Sequence, residues 1–598
     1  MQKALIQHQN TGVLLATDTD PPHHHPAASS SETLAALRSH ALSRPTVRAA
    51  MLARCNSLLR GHSAVRLCVI AAILTLLNAD YIPIIPPARL HLRLRRPATP
   101  LLHRAALEGS PDIYLDCAAS PARRILPAST ALRHLGLEPL VMGPKEGLGL
   151  VNGTAVSCAA AVLALHETQQ LLLASQALTA LCTEALGGHT ANYHPFISAA
   201  RPHPGQRQVA EHLTASLSGS RLAVASASPT TTGLAQDRYA LRTARSGSGR
   251  AVEVELNSTT DNPLVDYEGE QIHHGGNFQA AALTSAMEKT RLVLQMLGRL
   301  LFAQTSELIN PMTNNELPPN LCFDDPSVSF TCKGLDINMA AYMSELAWLA
   351  HPVGAHVQTA EMGNQSVNSL ALISARYTAE AVEVLSLMVS VGLWVGCQGV
   401  DLRVVGREGM GVIEREAAAV WREVFGTEAD EAVWAGVVEC VRREMRAQKG
   451  RDTEDRARVV AEATLVPVTK ALVEGSVRVQ GISELGVWTE RLARVIASAI
   501  RSTRARIAEE QVKPGDLSAN TTVGYLSRGS AGVYRFVRGE LGVPVHRGLV
   551  EHATYEGCER DGVRIGGEEK RTIGGRIGMV YEALRDGRMR GVFEESLS

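Results

Sequence analysis

From Thr154 to Leu186 the chain runs through Ala, Leu, Val, Gln and Thr without one Pro or Gly, and Gly187-Gly188 follows immediately. Such a run predicts one long buried helix with a glycine stop. A similar helix is predicted over Met287 to Ile309, where Leu292, Val293, Met296, Leu297 and Leu300 keep the i, i+3, i+4 spacing, and a third over Gln365 to Val400. With 4% aromatic residues and little strand-like alternation between these stretches, a mainly α bundle is the expected fold.

Several readings are excluded early. Lys plus Arg number 59 against 60 Asp plus Glu, so no global field favours nucleic acid or an anionic membrane as partner. The 10 cysteines show no C-x-x-C pair, which argues against a zinc module or a disulfide framework and for reduced, cytoplasmic thiols. The opening residues lack a basic stretch followed by an apolar one, so no secretory signal is expected. Val65 to Leu77 is too short to span a bilayer and Ala379 to Val400 carries Glu380 and Glu383; both are read as buried helices.

Residues 1 to 44 begin helically and pass into a Pro-, His- and Ser-rich loop over Asp18 to Ser31, in which His23 to His25 are given no function. The glycines from Gly147 to Gly153 follow no β-branched strand and precede no Lys-Ser/Thr, so they are not read as a phosphate loop. His273-His274 have no further ligand at metal spacing, and no metal site is proposed. Beyond Arg403, segments such as E-R-E-A-A-A-V-W-R-E-V place opposite charges three or four apart, as on a more solvated helical region. The expected division is 1–130, 131–405 as helical core, 406–525 as a helical appendage, and 526–598 as a return to the core.

Polar motifs inside apolar helical context carry the chemistry. They are R-C-N-S-L-L-R-G-H-S-A-V-R (Arg54 to Arg66), G-P-K-E-G-L-G-L-V-N-G-T-A-V-S (Gly143 to Ser157), Q-D-R-Y-A-L-R-T (Gln236 to Thr243), S-T-T-D-N-P-L (Ser258 to Leu264), H-H-G-G-N-F-Q-A (His273 to Ala280) and E-M-G-N-Q-S-V-N-S-L-A-L-I-S-A-R (Glu361 to Arg376). Taken singly, each could cap helices or stitch a core together. Together and in order, they resemble the aromatic amino acid ammonia-lyases, the phenylalanine and tyrosine enzymes with fungal-like features.

The resemblance implies a long-helix bundle of the aspartase/fumarase-like type with an added helical shielding region. It implies a cytoplasmic homotetramer whose sites draw on several subunits, acting on L-phenylalanine and L-tyrosine to give trans-cinnamate or coumarate plus ammonia. No metal, membrane, nucleic acid or dissociable cofactor is implied. The family's electrophile is a protein-derived methylidene-imidazolone, cyclised from Ala-Ser-Gly. By resemblance Arg242 grips the substrate carboxylate, as its planar fork suits. Asn152 and Gln236 orient the prosthetic group, with Tyr239 beside it and Phe278 packed against it. Asn262 assists carboxylate binding, Glu361 with Asn364 and Gln365 faces the substrate amine, and the His8-Gln9 pair sets ring selectivity. Histidine ammonia-lyase and an aminomutase on the same scaffold are the weaker readings, given His8-Gln9 and the appendage.

The chain departs from that pattern between Pro86 and Leu107. The family's R-G-[ST]-I-S-A-S-G-D-L is replaced there by P-A-R-L-H-L-R-L-R-R-P-A-T-P-L-L-H-R-A-A, so the electrophile cannot form from the sequence as written. Arg89 to Pro97 can be encoded CGG CTC CAT CTC CGC CTC CGG CGA CC, which one nucleotide later reads Gly-Ser-Ile-Ser-Ala-Ser-Gly-Asp. A pair of compensating frame shifts, restored near Ala105, is therefore expected, whether from a misread gene or from its decay. The family's catalytic-Tyr loop would precede the first residue, and the short A-R-S-G-S-G-R after Thr243 stands for a longer family segment. Arg89, Arg93, Arg95, Arg96 and Arg104 enter a stretch that should be buried, and its extrusion or poor packing is expected. The alternative to an enzyme is a catalytically inactive family member serving at most as an oligomer subunit.

Overall fold

The computed structural model describes residues 41–85, 106–111, 113–117, 124–200, 202–224, 237–242, 250–260, 263–274, 279–359, 367–426, 430–477, 481–511, 517, 520–552 and 571–598. These fall into two compact units: Met1–Gln169, Gly247–Gln295 and Leu346–Glu383 form the first; Gln170–Ser246, Met296–Glu345 and Val384–Ser598 form the second. The expectations for the N-terminal loop with His23 to His25 and for Pro86 to Arg104 lie outside the described residues.

In the first unit, Ser43 caps the Arg44–Leu59 helix, and Pro45 sits in the first turn, where its missing N–H costs nothing. Val47, Met51 and Leu58 of that helix bury against Val69, Ile73 and Leu76 of the apolar Leu67–Asn78 helix. Beside them lies a three-stranded antiparallel sheet, with Tyr114–Cys117 between Tyr81–Pro83 and Arg124–Pro127. Arg44 ties helix to sheet, donating to the carbonyls of Asp80 and Asp116, each at 3.0 Å. A second small sheet pairs Leu264–Asp266 with Gln271–His273. The sequence reading found no strands; these have three or four residues each, too few for a period of two to register.

Three long helices each supply their N-terminal part to the first unit and their C-terminal part to the second. The Ala155–Leu186 and Ala281–Ile309 helices match the expected stretches, the latter starting six residues before Met287. The third expectation, Gln365 to Val400, is corrected: the helix runs Ala371–Phe425. Leu370, with φ of 54°, precedes its start, and beyond Val400 an apolar face continues through Ile413, Ala417, Trp421 and Phe425. Composition changes at Arg403, whereas the buried stripe does not, and the stripe decides. Within the second unit this helix meets the Ala155–Leu186 helix at Gly392 and Gly396. A Cβ on Gly396 would lie 2.8 Å from Leu181 Cδ2, and one on Gly392 would clash with Leu178. Among the described residues two helices are long and apolar enough to cross a membrane, but in Ala371–Phe425 the most apolar stretch is 83% buried within the protein.

Residues 406–525 fall within the second unit and carry an apolar cluster of their own. Trp421 stacks edge-on to Trp488 at 5.3 Å and tilts against Phe425 at 4.5 Å, while Trp488 Nε1 donates to Thr464 Oγ1 at 2.9 Å. Outside that cluster, charges pair across helix turns, as in Arg458 with Asp455 and Glu462. The C-terminal part closes on Asp401. Its Oδ1 accepts from Gln511 Nε2 at 2.8 Å, Thr522 Oγ1 at 3.1 Å and the Tyr534 hydroxyl, and its Oδ2 accepts from Arg538 at 2.7 and 3.1 Å. Both ion-pair side chains have no exposed surface. Burial works against the Arg538 charge, but Asp401 outweighs it and raises the arginine above its ordinary pKa.

Replacing Asp401 by Asn is expected to cost about 3–5 kcal/mol, because Arg538 would stay buried without its counter-ion. Equilibrium denaturant unfolding measures it; a loss under 1 kcal/mol would show that the pair is not the closure described.

Candidate active site

The loop carrying Asn152 is held from below by a carboxylate. Glu146 is almost fully buried; it accepts from Arg66 Nε and Arg66 NH2, each at 2.8 Å, from the Arg66 amide at 2.9 Å and from the Gly143 amide at 2.6 Å. Arg66, chiefly by these hydrogen bonds, brings the Glu146 carboxyl down to about 2 against the opposition of burial. Lys145, in the left-handed region at φ 66°, turns the chain into the short Glu146–Val151 helix and sends its ammonium to the Ser63 carbonyl at 3.0 Å. Gly149 has no room for a side chain, since a Cβ would stand 2.6 Å from Val65 Cγ2.

Beyond that helix, the Asn152 carbonyl accepts from Arg54 NH2 at 2.8 Å. Gly153, with φ of 155°, leaves the space that the Arg54 guanidinium and Thr260 Oγ1 fill. Arg54 is buried; desolvation lowers it to about 10, and its Nε has no hydrogen-bond partner among the described residues. The Asn152 side-chain amide makes no hydrogen bond among the described residues. The loop before Arg66 is tied to the Leu264–Asp266 strand: the Val265 amide donates to the His62 carbonyl at 2.9 Å, and His62 Nδ1 lies 3.2 Å from the Val265 carbonyl.

In the second unit, Tyr239 and Arg242 begin and end a four-residue helix, Tyr239–Arg242. So short a helix cannot hold itself, and three neighbours fix it. Asp237 accepts from the His189 amide at 2.7 Å and from Asn192 Nδ2 at 2.6 Å. The buried Tyr193 hydroxyl donates to the Leu241 carbonyl at 2.7 Å, and Gln304 Nε2 donates to the Ala240 carbonyl at 2.9 Å. Arg54, Asp237, Tyr193 and Gln304 were not singled out by the sequence reading. The first two stand inside the quoted motifs; Tyr193 and Gln304 carry no local signal, as their roles arise only from tertiary proximity.

Of the other expected site residues, Gln236, Asn262, Phe278, Glu361, Asn364, Gln365, His8 and Gln9 lie outside the described residues. His273 sits exposed on its strand, 3.8 Å from Asp266. No group of three potential metal ligands occurs among the described residues.

The aromatic amino acid lyase family matches residues 1–423. The chain belongs to that family. A phenylalanine ammonia-lyase of Aspergillus lentulus is 44% identical to this lyase over 100% of the present chain and 83% of its own length; one of Aspergillus hancockii is 42% identical over 100% and 85%. Two crystal structures of the phenylalanine ammonia-lyase of the yeast Rhodosporidium toruloides superpose with TM-scores of 0.87 and 0.85 at 37% identity, covering 100% of this chain and 87% and 88% of theirs. The expected mainly α lyase fold is thus the observed one.

The Glu146 pairing has a pH signature. Its folded-state pKa lies below the ordinary 4.5, so its contribution is complete above that value and is lost as pH falls toward about 2. Glu146→Gln is expected to destabilise the lyase by about 3 kcal/mol at neutral pH, with variant and parent converging near pH 2. Urea unfolding across a pH series tests this; parallel curves would refute it.

Proposed function

We propose that the gene for this lyase encodes an enzyme that eliminates ammonia from L-phenylalanine, and from L-tyrosine, to give trans-cinnamate or coumarate. The carrying observation is identity of 42–44% to phenylalanine ammonia-lyases along the whole chain. A second support is the bracing of the Tyr239–Arg242 helix by Asp237, Tyr193 and Gln304, out of proportion to its four residues. Held so, Arg242 can offer its guanidinium fork to a substrate carboxylate, and Asn152 an amide to a polarised oxygen. Gln236, Asn262, Phe278 and Glu361, with Asn364 and Gln365, complete the reading; His8-Gln9 would accept a phenol or a bare ring. A cytoplasmic homotetramer belongs to the same proposal. Among the described residues, nine cysteines are unpaired, eight of them buried, which fits a reducing compartment.

The family's methylidene-imidazolone supplies an electron sink when present. The cradle around Asn152 and Gly153 is built, but no Ala-Ser-Gly occurs anywhere in the 598 residues, so its precursor does not fit and no step is derived through it. The displaced reading of Arg89 to Pro97 favours a frame shift over an unrelated insertion, since one nucleotide restores eight consecutive residues.

Sequencing the transcript across codons 87–105 should give the displaced reading, and protein from that transcript should weigh two waters less than its translated sequence and form cinnamate from L-phenylalanine. The present 598-residue chain should form none. Cinnamate from this chain, or a transcript with other codons, would defeat the proposal.

A further inference from the structure

The second unit holds an open cavity of about 1070 Å³ whose wall, among the described residues, carries seven arginines against three carboxylates. Those carboxylates are engaged: Asp237 with His189 and Asn192, Glu307 with Arg238 at 3.2 Å, and Glu316 with Arg446 at 3.3 Å. Arg442 pairs with Glu414 at 2.6 Å, and Arg504 lies 3.5 Å from Asp325. Three wall arginines have only backbone carbonyls as hydrogen-bond partners among the described residues. Arg403 donates to Ala185 at 2.9 Å, Asn315 at 2.6 Å and Asn314 at 3.4 Å; Arg407 donates to Arg221; Arg456 donates to Met445. The Nε of Arg456 is buried with no hydrogen-bond partner among the described residues.

These cations crowd one another. Burial, then repulsion by Arg504, brings Arg456 down to about 10. Arg403 is held at about 10 chiefly by burial, with Glu316 opposing and Arg407 adding to the depression. Lys449, donating to Asn314 Oδ1 at 2.9 Å, is lowered by burial and by both Arg403 and Arg456, with Glu316 again opposing. Much of the remaining wall is apolar, with Leu186, Leu317, Leu402, Met410, Ile413 and Met445. A small inorganic anion would leave that surface wet, whereas an anion with an apolar body satisfies both parts of the wall.

We propose that this cavity binds an organic anion, a carboxylate on a ring-sized apolar body, with Arg403, Arg407 and Arg456 as its charge partners. The site lies wholly within the second unit and does not depend on the elimination reaction.

The test is calorimetric titration of the full chain with 2-naphthoate, with its neutral amide 2-naphthamide, and with inorganic phosphate as competitor. One naphthoate per chain should bind, weakening as salt is raised. Arg407→Gln, Arg403→Gln and Arg456→Gln should each weaken it about tenfold, and Arg407→Lys less. Arg494→Gln, on the exposed Glu490 pair, should change nothing. Should the Arg403 or Arg456 variant lose its circular-dichroism melt, the exposed Arg407 decides. Absent binding, equal binding of the amide, displacement by phosphate alone, or affinity indifferent to the arginine substitutions would each overturn the proposal; the last would place naphthoate in the site of the proposed reaction or elsewhere.

Discussion

A carboxylate with no exposed surface, Asp401, is where the second unit closes. Placing a charge there is costly, and the fold answers by converging on it from separate stretches of chain: Gln511, Thr522, Tyr534 and Arg538. Arg538 then uses its remaining donors on the carbonyls of Val543 and Pro544, each at 2.9 Å. One turn earlier, Gln398 donates to the His546 carbonyl and accepts from the His546 amide, both at 3.0 Å. The C-terminal segment is therefore set by buried polar groups on the Ala371–Phe425 helix. Satisfied in full, such a network specifies one arrangement; half satisfied, it would be worse than an apolar contact.

The same logic recurs at the candidate site on a smaller scale. Glu146 collects two backbone amides and an arginine so that the Asn152 loop leaves its short helix in one direction, and Arg54 sets the Asn152 carbonyl from the other side. Asp237, Tyr193 and Gln304 do this for the Tyr239–Arg242 helix. In both places, side chains expected to meet substrate stand on backbone that other residues immobilise. That is the condition for preorganised electrostatics.

The long helices were legible because burial repeats over many turns, and the ends at Leu186 and Ile309 were set by local breakers. The far end of Ala371–Phe425 was not, since a change in composition at Arg403 looked like a boundary while the inward face ran on. Three- and four-residue strands leave no periodic trace. Ordered motifs disclosed Asn152, Tyr239 and Arg242 as candidates; the residues that brace them were hidden, because Tyr193 and Gln304 approach the Tyr239–Arg242 helix across 48 and 64 positions of sequence. Pairings over such separations have no local spelling.

The Ala371–Phe425 helix advances about 100° and 1.5 Å with each residue. Gly392, Gly396, Gln398 and Asp401 all lie on it within ten residues, and each meets a specific counterpart. Inserting or deleting a single residue between Gly396 and Asp401 would rotate every later group by more than a quarter of a circle, turning Asp401 away from Arg538 while leaving the glycines in register. The residue count of this rod between the glycines and Asp401 is fixed by phase, and natural length variation should be confined to the loops.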